Sequence, residues 1–169
     1  MGMNVQNVWN FTVSLYGREG VAPLCLDLQE RCGLDVNMVL FLLYLGQQGQ
    51  APHSIAALEN AVRDWREKVI VPLRATRRYL RGNPAPDIEK LRERIKQDEL
   101  AAEKIEQKLL CAAVEAVPAN DPFAAAHAYV SPTRFNLTQK ECDHAVAILC
   151  QQVIAMQGTA PMAPVNAGL

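Results

Sequence analysis

The chain has 169 residues, of which 50% are hydrophobic and 21% charged, and its formal net charge is −1. This composition excludes a wholly disordered chain and fits one domain with a sizeable core. The longest dense apolar run, VNMVLFLLYLG, is about half of a membrane span. Residues before Arg18 lack the basic residues of a signal peptide. Five cysteines without a C-x-x-C pair favour reduced thiols over disulfides. We therefore expect a cytoplasmic protein without a membrane span.

Three short helices are predicted first along the chain. Helical spacing of apolar residues predicts the first helix over 5–17 and the second over 21–32, with Gly33 as its C-terminal cap. Asp35 is the predicted N-cap of the third helix. From Met38 to Leu45 this helix is apolar on every side, so we expect it to be the buried centre of the fold.

A fourth helix is predicted from the N-cap Ser54 through the basic segment WREKVIVPLRATRRYLR, which spans 65–81. If this helix is straight, Trp65, Val69 and Leu73 lie on its inner side. Pro72 has no N–H for the carbonyl four residues earlier, so a kink or break is predicted before it.

The second half contains a long helix, a loop and a last helix. The long helix is predicted from the cap Asp87 to about 117, with a heptad-like apolar seam interrupted by Asp98. That carboxylate is expected either to reach solvent at the bundle edge or to pair with an arginine such as Arg66 or Arg77. Residues 118–135 predict a loop, and a capping box of Thr138 and Glu141 begins the last helix.

These elements predict an all-α fold, an antiparallel bundle of five or six helices around the buried third helix. A single helical domain is expected over 1–157, and 158–169 is expected to be a flexible tail because it is uncharged and rich in small residues and proline.

Arginines are concentrated on one predicted helix face. Residues 62–81 contain seven basic and two acidic residues, whereas the segments on both sides carry net negative charge. On a straight helix the arginines opposite the apolar side fall within an arc of about 120°. The predicted binding residues are Arg63, Arg66, Arg74, Arg77, Arg78 and Arg81.

Three phrases, VSLYGREGVAPLCLDLQERCGLDVNMVLFLLYLG, WREKVIVPLRATRRYLR and DELAAEKIEQKLL, occur in this order. In them the chain resembles a family of small proteobacterial proteins that are catalogued only as hypothetical, over roughly residues 5–115. The resemblance implies a bacterial cytosolic protein. It supplies no activity, cofactor or catalytic residue.

No catalytic, metal or cofactor site is predicted. Cys142, His144 and Cys150 do not complete a set of zinc ligands, and no glycine-rich loop follows a strand. The acidic pair Asp27 and Glu30 is explained by the exposed edge of an amphipathic helix.

The arginine face has three interpretations. The arginines either pair internally with the neighbouring acidic helices, or contact an acidic protein surface, or bind nucleic acid phosphates. Of the binding functions, a non-enzymatic binding or adaptor protein for an acidic partner is predicted first. A nucleic-acid-binding accessory protein is second, because the pI near 6.3 lacks the usual basicity of that class, and a small enzyme is third.

Overall fold

The computed structural model describes residues 2–158, and its architecture is helical. The helices are α1 (Val5–Tyr16), α2 (Val21–Cys32), α3 (Val36–Gln47), α4 (Ile55–Trp65), α5 (Val71–Tyr79), α6 (Pro86–Ala113), α7 (Ala124–Tyr129) and α8 (Gln139–Gly158). A π-helical turn, Arg66–Ile70, joins α4 to α5. Two short strands, β1 (Gln50–Pro52) and β2 (Ala116–Pro118), pair antiparallel with Ala51 opposite Val117. The predicted all-α class is confirmed.

Several helix ends follow from local side-chain chemistry. Asp35 accepts a hydrogen bond from the N–H of Met38 at 3.1 Å, and Gly33 ends α2 with φ at 69°. The hydroxyl of Thr138 accepts from the N–H of Glu141 at 3.2 Å, while the Glu141 carboxylate accepts from the N–H of Thr138 at 2.8 Å. The contacts of Asp35, Thr138 and Glu141 satisfy backbone donors that a helix start leaves unpaired. The predicted caps Asp35 and Gly33 and the capping box of Thr138 and Glu141 are confirmed.

Helix α3 lies at the centre, with α1, α6, α7 and α8 packed around it. Its side chains from Met38 to Leu43 are all buried, which confirms the expectation from its apolar sequence. Gly46 lies so close to the segment before α7 that an added Cβ would be 1.6 Å from the Pro122 carbonyl oxygen. The contact between α3 and this segment therefore needs a glycine.

The structure differs from the sequence prediction mainly in the second half of the chain. The predicted loop over 118–135 contains α7, whose Ala126 and Tyr129 are buried. Such a short helix shows too few turns for its period to be visible in the sequence. Helix α6 begins at Pro86 with Ala85 in the N-cap position, so Asp87 is not the cap.

Boundaries near the end of the chain also differ. Helix α6 ends at Ala113, and residues 116–118 form β2 instead of continuing the helix. Helix α8 includes Gly158, and the rest of the predicted tail, 159–169, lies outside the described residues. None of the helices within 2–158 combines the length and apolar character that crossing a membrane requires.

Candidate functional site

The π turn changes which side of the basic segment faces the core. In this turn the N–H of Val71 bonds to the Arg66 carbonyl five residues back. Because a π turn contains one more residue than an α turn, every later position is displaced by one relative to a straight helix. The straight-helix prediction placed Leu73 inward, whereas the structure buries Ile70 and Arg74. The irregularity predicted before the proline is present, and it moves arginines inward.

Arg74 and Arg77 point at α6 and pair with its glutamates. Arg74 Nε donates to Glu99 Oε1 at 2.9 Å, and its Nη2 donates to Glu103 Oε1 at 3.1 Å. Arg77 Nη2 also reaches Glu99 Oε1, at 3.2 Å. Both arginines and Glu99 are largely withdrawn from solvent. Such hydrogen-bonded buried pairs depend on both partners, because removing one leaves an uncompensated charge.

Two further arginines join the basic segment to α2 and α3. Arg66 donates to the Gly33 carbonyl at 2.9 Å and lies 3.4 Å from Asp35 Oδ1. Arg78 pairs with Glu30 at 3.0 Å and remains half-exposed. These contacts hold the π turn and α5 against the end of α2 and the start of α3.

Arg63 and Arg81 are exposed and form no ion pair with any residue of the described range 2–158. Arg63 lies in α4, and Arg81 follows α5.

The six predicted binding residues therefore do not share one exposed face. Arg66, Arg74 and Arg77 are half-buried or buried and paired internally. For Arg74 and Arg77 the physical reason is the extra residue of the π turn, which rotates α5 relative to α4. Arg66 is the first residue of that turn and is held inward by its contacts with Gly33 and Asp35. A binding role for the remaining exposed arginines stays a prediction.

Asp98 does not occupy the inner seam of α6, and the adjacent Glu99 does. Asp98 is exposed and makes no ion pair within residues 2–158, so of its two predicted positions the solvent-facing one is correct. Three apolar residues of α6 are exposed instead: Leu91, Leu100 and Ile105. The centre of this helix thus turns a polar side towards the bundle.

A cavity of about 610 Å³ opens between α1, α2, the start of α3, the basic segment and α6. Charged side chains form its floor: Asp35, Arg66, Arg74, Arg77, Glu99 and Glu103. Apolar side chains form its walls and rim: Trp9, Val13, Leu26, Val36, Leu40 and Leu100. This volume lies within the range of about 300–1,000 Å³ that small-molecule sites occupy. The arrangement suits a ligand with a polar end and an apolar body.

The pKa values of the two glutamates of the floor, Glu99 and Glu103, are shifted in opposite directions. Burial pushes the pKa of Glu99 upward, but hydrogen bonds from Arg77 and Arg74 outweigh it and leave the pKa below its ordinary value. Burial raises the pKa of Glu103, and the attraction of Arg74 only partly opposes it. Glu99 is therefore a firmly ionised partner, and Glu103 is the carboxylate of the floor that takes up a proton more readily.

A second acidic pair lies behind the floor. Glu106 is 0% exposed, and its Oε2 accepts a hydrogen bond of 2.6 Å from Asn37 Nδ2. Burial and the nearby Asp35 charge raise the pKa of Glu106 to about 9. Glu106 Oε1 is buried and has no hydrogen-bond partner within residues 2–158. These effects favour a single negative charge on the pair over two.

Sequence reasoning missed the acidic half of this site. The apolar seam predicted for the long helix contains Asp98 but leaves out Glu99, Glu103 and Glu106, and the sequence predicts no role for Asn37. The usable signal was their spacing of three and four, which places all three glutamates on one side of a helix.

Within residues 2–158, no group of three or more His, Cys, Asp or Glu side chains is arranged so that it could hold a metal ion.

The fold and the cavity define a small all-helical domain with a charged, ion-paired site. A family model described as "Protein of unknown function (DUF2390)" matches residues 7–110, and the chain belongs to this family. The match covers α1 to most of α6 and so includes every residue that lines the cavity. No match was found among curated proteins or among solved structures. The resemblance to an uncharacterised family is confirmed, and the family's description names no activity.

Proposed function

We propose that this chain is a non-enzymatic binding protein that holds a small amphipathic molecule in the cavity beside α3. The observation that carries the proposal is the combination of a cavity of about 610 Å³ with an ion-paired floor and an apolar rim. Ligand sites in proteins typically join an apolar lining to a few well-placed polar groups. Four of the lining residues lie outside a close-packed core: Val13, Leu26 and Leu100 are exposed apolar residues, and Trp9 is half-buried.

This proposal gives the basic segment a different task from recognition of an acidic protein partner or of nucleic acid phosphates. Arg74 and Arg77 direct their charge into the cavity floor, where glutamates already neutralise much of it. Phosphate or acidic-surface contact needs several arginines on one accessible side. Of the six arginines, only Arg63 and Arg81 are exposed without an ion pair within residues 2–158, and the half-exposed Arg78 is paired with Glu30, which favours neither alternative.

The compartment is part of the same proposal. The five cysteines within the described residues are free thiols, and three of them are buried. This arrangement suits a reducing compartment, and we place the protein in the bacterial cytoplasm.

The test is binding of an environment-sensitive apolar dye, excited away from tryptophan, to the native protein and to two variants. Val13→Trp adds bulk at the rim of the cavity, where Val13 is 54% exposed. Ile154→Trp is the matched control, since Ile154 on α8 is 56% exposed and does not line the cavity. We expect saturable dye binding that Val13→Trp weakens by about tenfold or more and Ile154→Trp leaves unchanged. Equal binding by all three proteins would contradict the proposed site.

A further inference from the structure

Charges that line the cavity do not balance. Four positive side chains line it, Arg66, Arg74, Arg77 and Lys96, against three negative ones, Asp35, Glu99 and Glu103. Glu106 does not line the cavity, and burial and the Asp35 charge raise its pKa to about 9, which favours its neutral form. Lys96 approaches Glu93 only at 3.9 Å, so its charge is weakly compensated. The charged side chains that line the cavity therefore sum to one positive charge, which Lys96 supplies, and burial raises the pKa of Glu103, so protonation of Glu103 would add to that charge.

Hydrogen-bonding capacity points the same way. Both oxygens of Glu99 already accept from arginines, and Asp35 Oδ1 already accepts from the N–H of Met38. The Nη1 groups of Arg74 and Arg77 donate to no residue of the range 2–158, and neither does the Tyr16 hydroxyl. A ligand that accepts hydrogen bonds thus finds free donors.

Acceptors are scarcer. Glu103 keeps one oxygen outside its contact with Arg74, and Asp35 keeps Oδ2 outside its contact with Met38. Burial favours the protonated form of this carboxyl, which would make it another donor. The free polar groups of the floor therefore suit a ligand that accepts hydrogen bonds better than a ligand that donates them.

An apolar path leads away from these donors. Val13, Leu26 and Leu100 are exposed by 54%, 42% and 46%, although each lines the cavity. They come from α1, α2 and α6, so the path is a surface between three helices. An extended apolar chain over these residues would remove their surface from water, which favours binding in proportion to the area covered.

We propose that the ligand is a monoanionic amphiphile, an aliphatic carboxylate whose head accepts hydrogen bonds from Arg74, Arg77 and Tyr16. Its chain runs over Trp9 and the exposed rim residues. This inference rests on the proposed function and adds the sign and number of the ligand's charges. A dicarboxylate would exceed the single unbalanced positive charge, and an ammonium head would add to it. Charge-assisted hydrogen bonds from guanidinium groups are well suited to a carboxylate.

The experiment compares decanoate, decanol and decylamine, which share one chain length and differ in their heads, by calorimetric titration of the native protein below their micelle-forming concentrations. We expect decanoate to bind about tenfold or more tightly than decanol, and decylamine to bind most weakly. Equal affinities of decanoate and decanol would overturn the anionic assignment and leave the binding cavity standing. Tighter binding of decylamine would overturn it as well. Failure of all three to bind, together with loss of dye binding, would remove the proposed function itself.

Variants of the proposed donor residues test which side chains bind the carboxylate head of the ligand. Arg77→Gln removes one donor group and should bring decanoate affinity close to that of decanol, whereas Arg81→Gln, which does not line the cavity, should leave both affinities unchanged. If Arg77→Gln does not fold, Tyr16→Phe removes only a hydroxyl, and Tyr79→Phe at an exposed site is its control. We expect Tyr16→Phe to weaken decanoate binding several-fold without changing decanol binding. Unchanged decanoate binding by Tyr16→Phe and by a folded Arg77→Gln would overturn the proposed position of the head.

Discussion

Arg74 Nε lies 2.9 Å from Glu99 Oε1, and each of the two side chains keeps only 8% of its surface exposed. The pair joins the basic segment to the middle of α6. Arg77 shares Glu99, and Glu103 shares Arg74, so four charges form one network. A straight helix would place Arg74 and Arg77 on the outer side, where they could contact a partner, but in the structure they lie inside the domain.

Replacing either member of the central pair should destabilise the protein strongly. Arg74→Met and Glu99→Leu should each lower the free energy of unfolding by about 3–5 kcal/mol, because each leaves an uncompensated charge. The double variant leaves Arg77 and Glu103 as a balanced pair, so its loss should be smaller than the sum of the single losses. Urea denaturation measures all four proteins, and strict additivity would show that the contact is not coupled.

Glu106 should make stability depend on pH in a particular direction. Its pKa is about 9 in the folded protein, against an ordinary value of 4.5. A raised folded pKa gives stability that is complete below the unfolded pKa and is lost as pH rises through the folded pKa. Glu106→Gln imitates the protonated acid and removes this dependence.

As pH rises from about 5 to about 9, the unsubstituted protein should therefore lose unfolding free energy relative to Glu106→Gln, by at most about 1.4 kcal/mol per pH unit. Urea denaturation across this range measures the difference. Exposed Glu115→Gln is the control and should show no such trend. A constant difference for Glu106→Gln would mean that Glu106 is ionised in the folded state.

Gly46 should not tolerate a side chain. An alanine Cβ would overlap the carbonyl oxygen of Pro122, and relief requires moving backbone before α7. We expect Gly46→Ala to cost about 3 kcal/mol, the upper part of the range for overpacking. Gly17→Ala is the matched control, because its nearest atom is 3.5 Å away and its φ is −76°. Thermal melting that ranks the two variants equally would argue against the close approach.

The thiols should be protected in the native protein and all free after unfolding. Burial raises the pKa of Cys25 to about 12 and that of Cys150 to about 11, so little thiolate is present near pH 8. A thiol reagent should therefore react slowly with these groups in the native state and should count five thiols in denaturant without prior reduction. A shortfall of two in denaturant would indicate a disulfide.

Local chemistry made much of the fold predictable. The apolar run of α3 and the capping box of Thr138 and Glu141 act through neighbouring residues, so sequence alone places them. Helix α7 was missed because six residues give too few turns to show a period.

The site could not be predicted by the same means. The sequence prediction placed apolar residues inward and charged residues outward. This rule fails for Arg74 and Glu99, which neutralise each other inside the domain, and for Leu100, which remains exposed at the cavity rim. The π turn shifts every later position of the basic segment by one residue, and a prediction based on a straight helix does not include this shift. Glu106 looked like any surface glutamate, because its protonation depends on burial beside Asp35, a residue 71 positions away in sequence.

The central claim is that the arginines facing α6 build the cavity floor and do not form an outer recognition surface. Comparing unfolding free energies of two double variants with equal charge change, Arg74→Gln with Arg77→Gln and Arg63→Gln with Arg81→Gln, tests it most directly. We expect the first to lose about 3 kcal/mol or more and the second to stay within about 0.5 kcal/mol of the unsubstituted protein. If the first double variant were as stable as the second, Arg74 and Arg77 would be ordinary surface residues and the account of the site would be wrong.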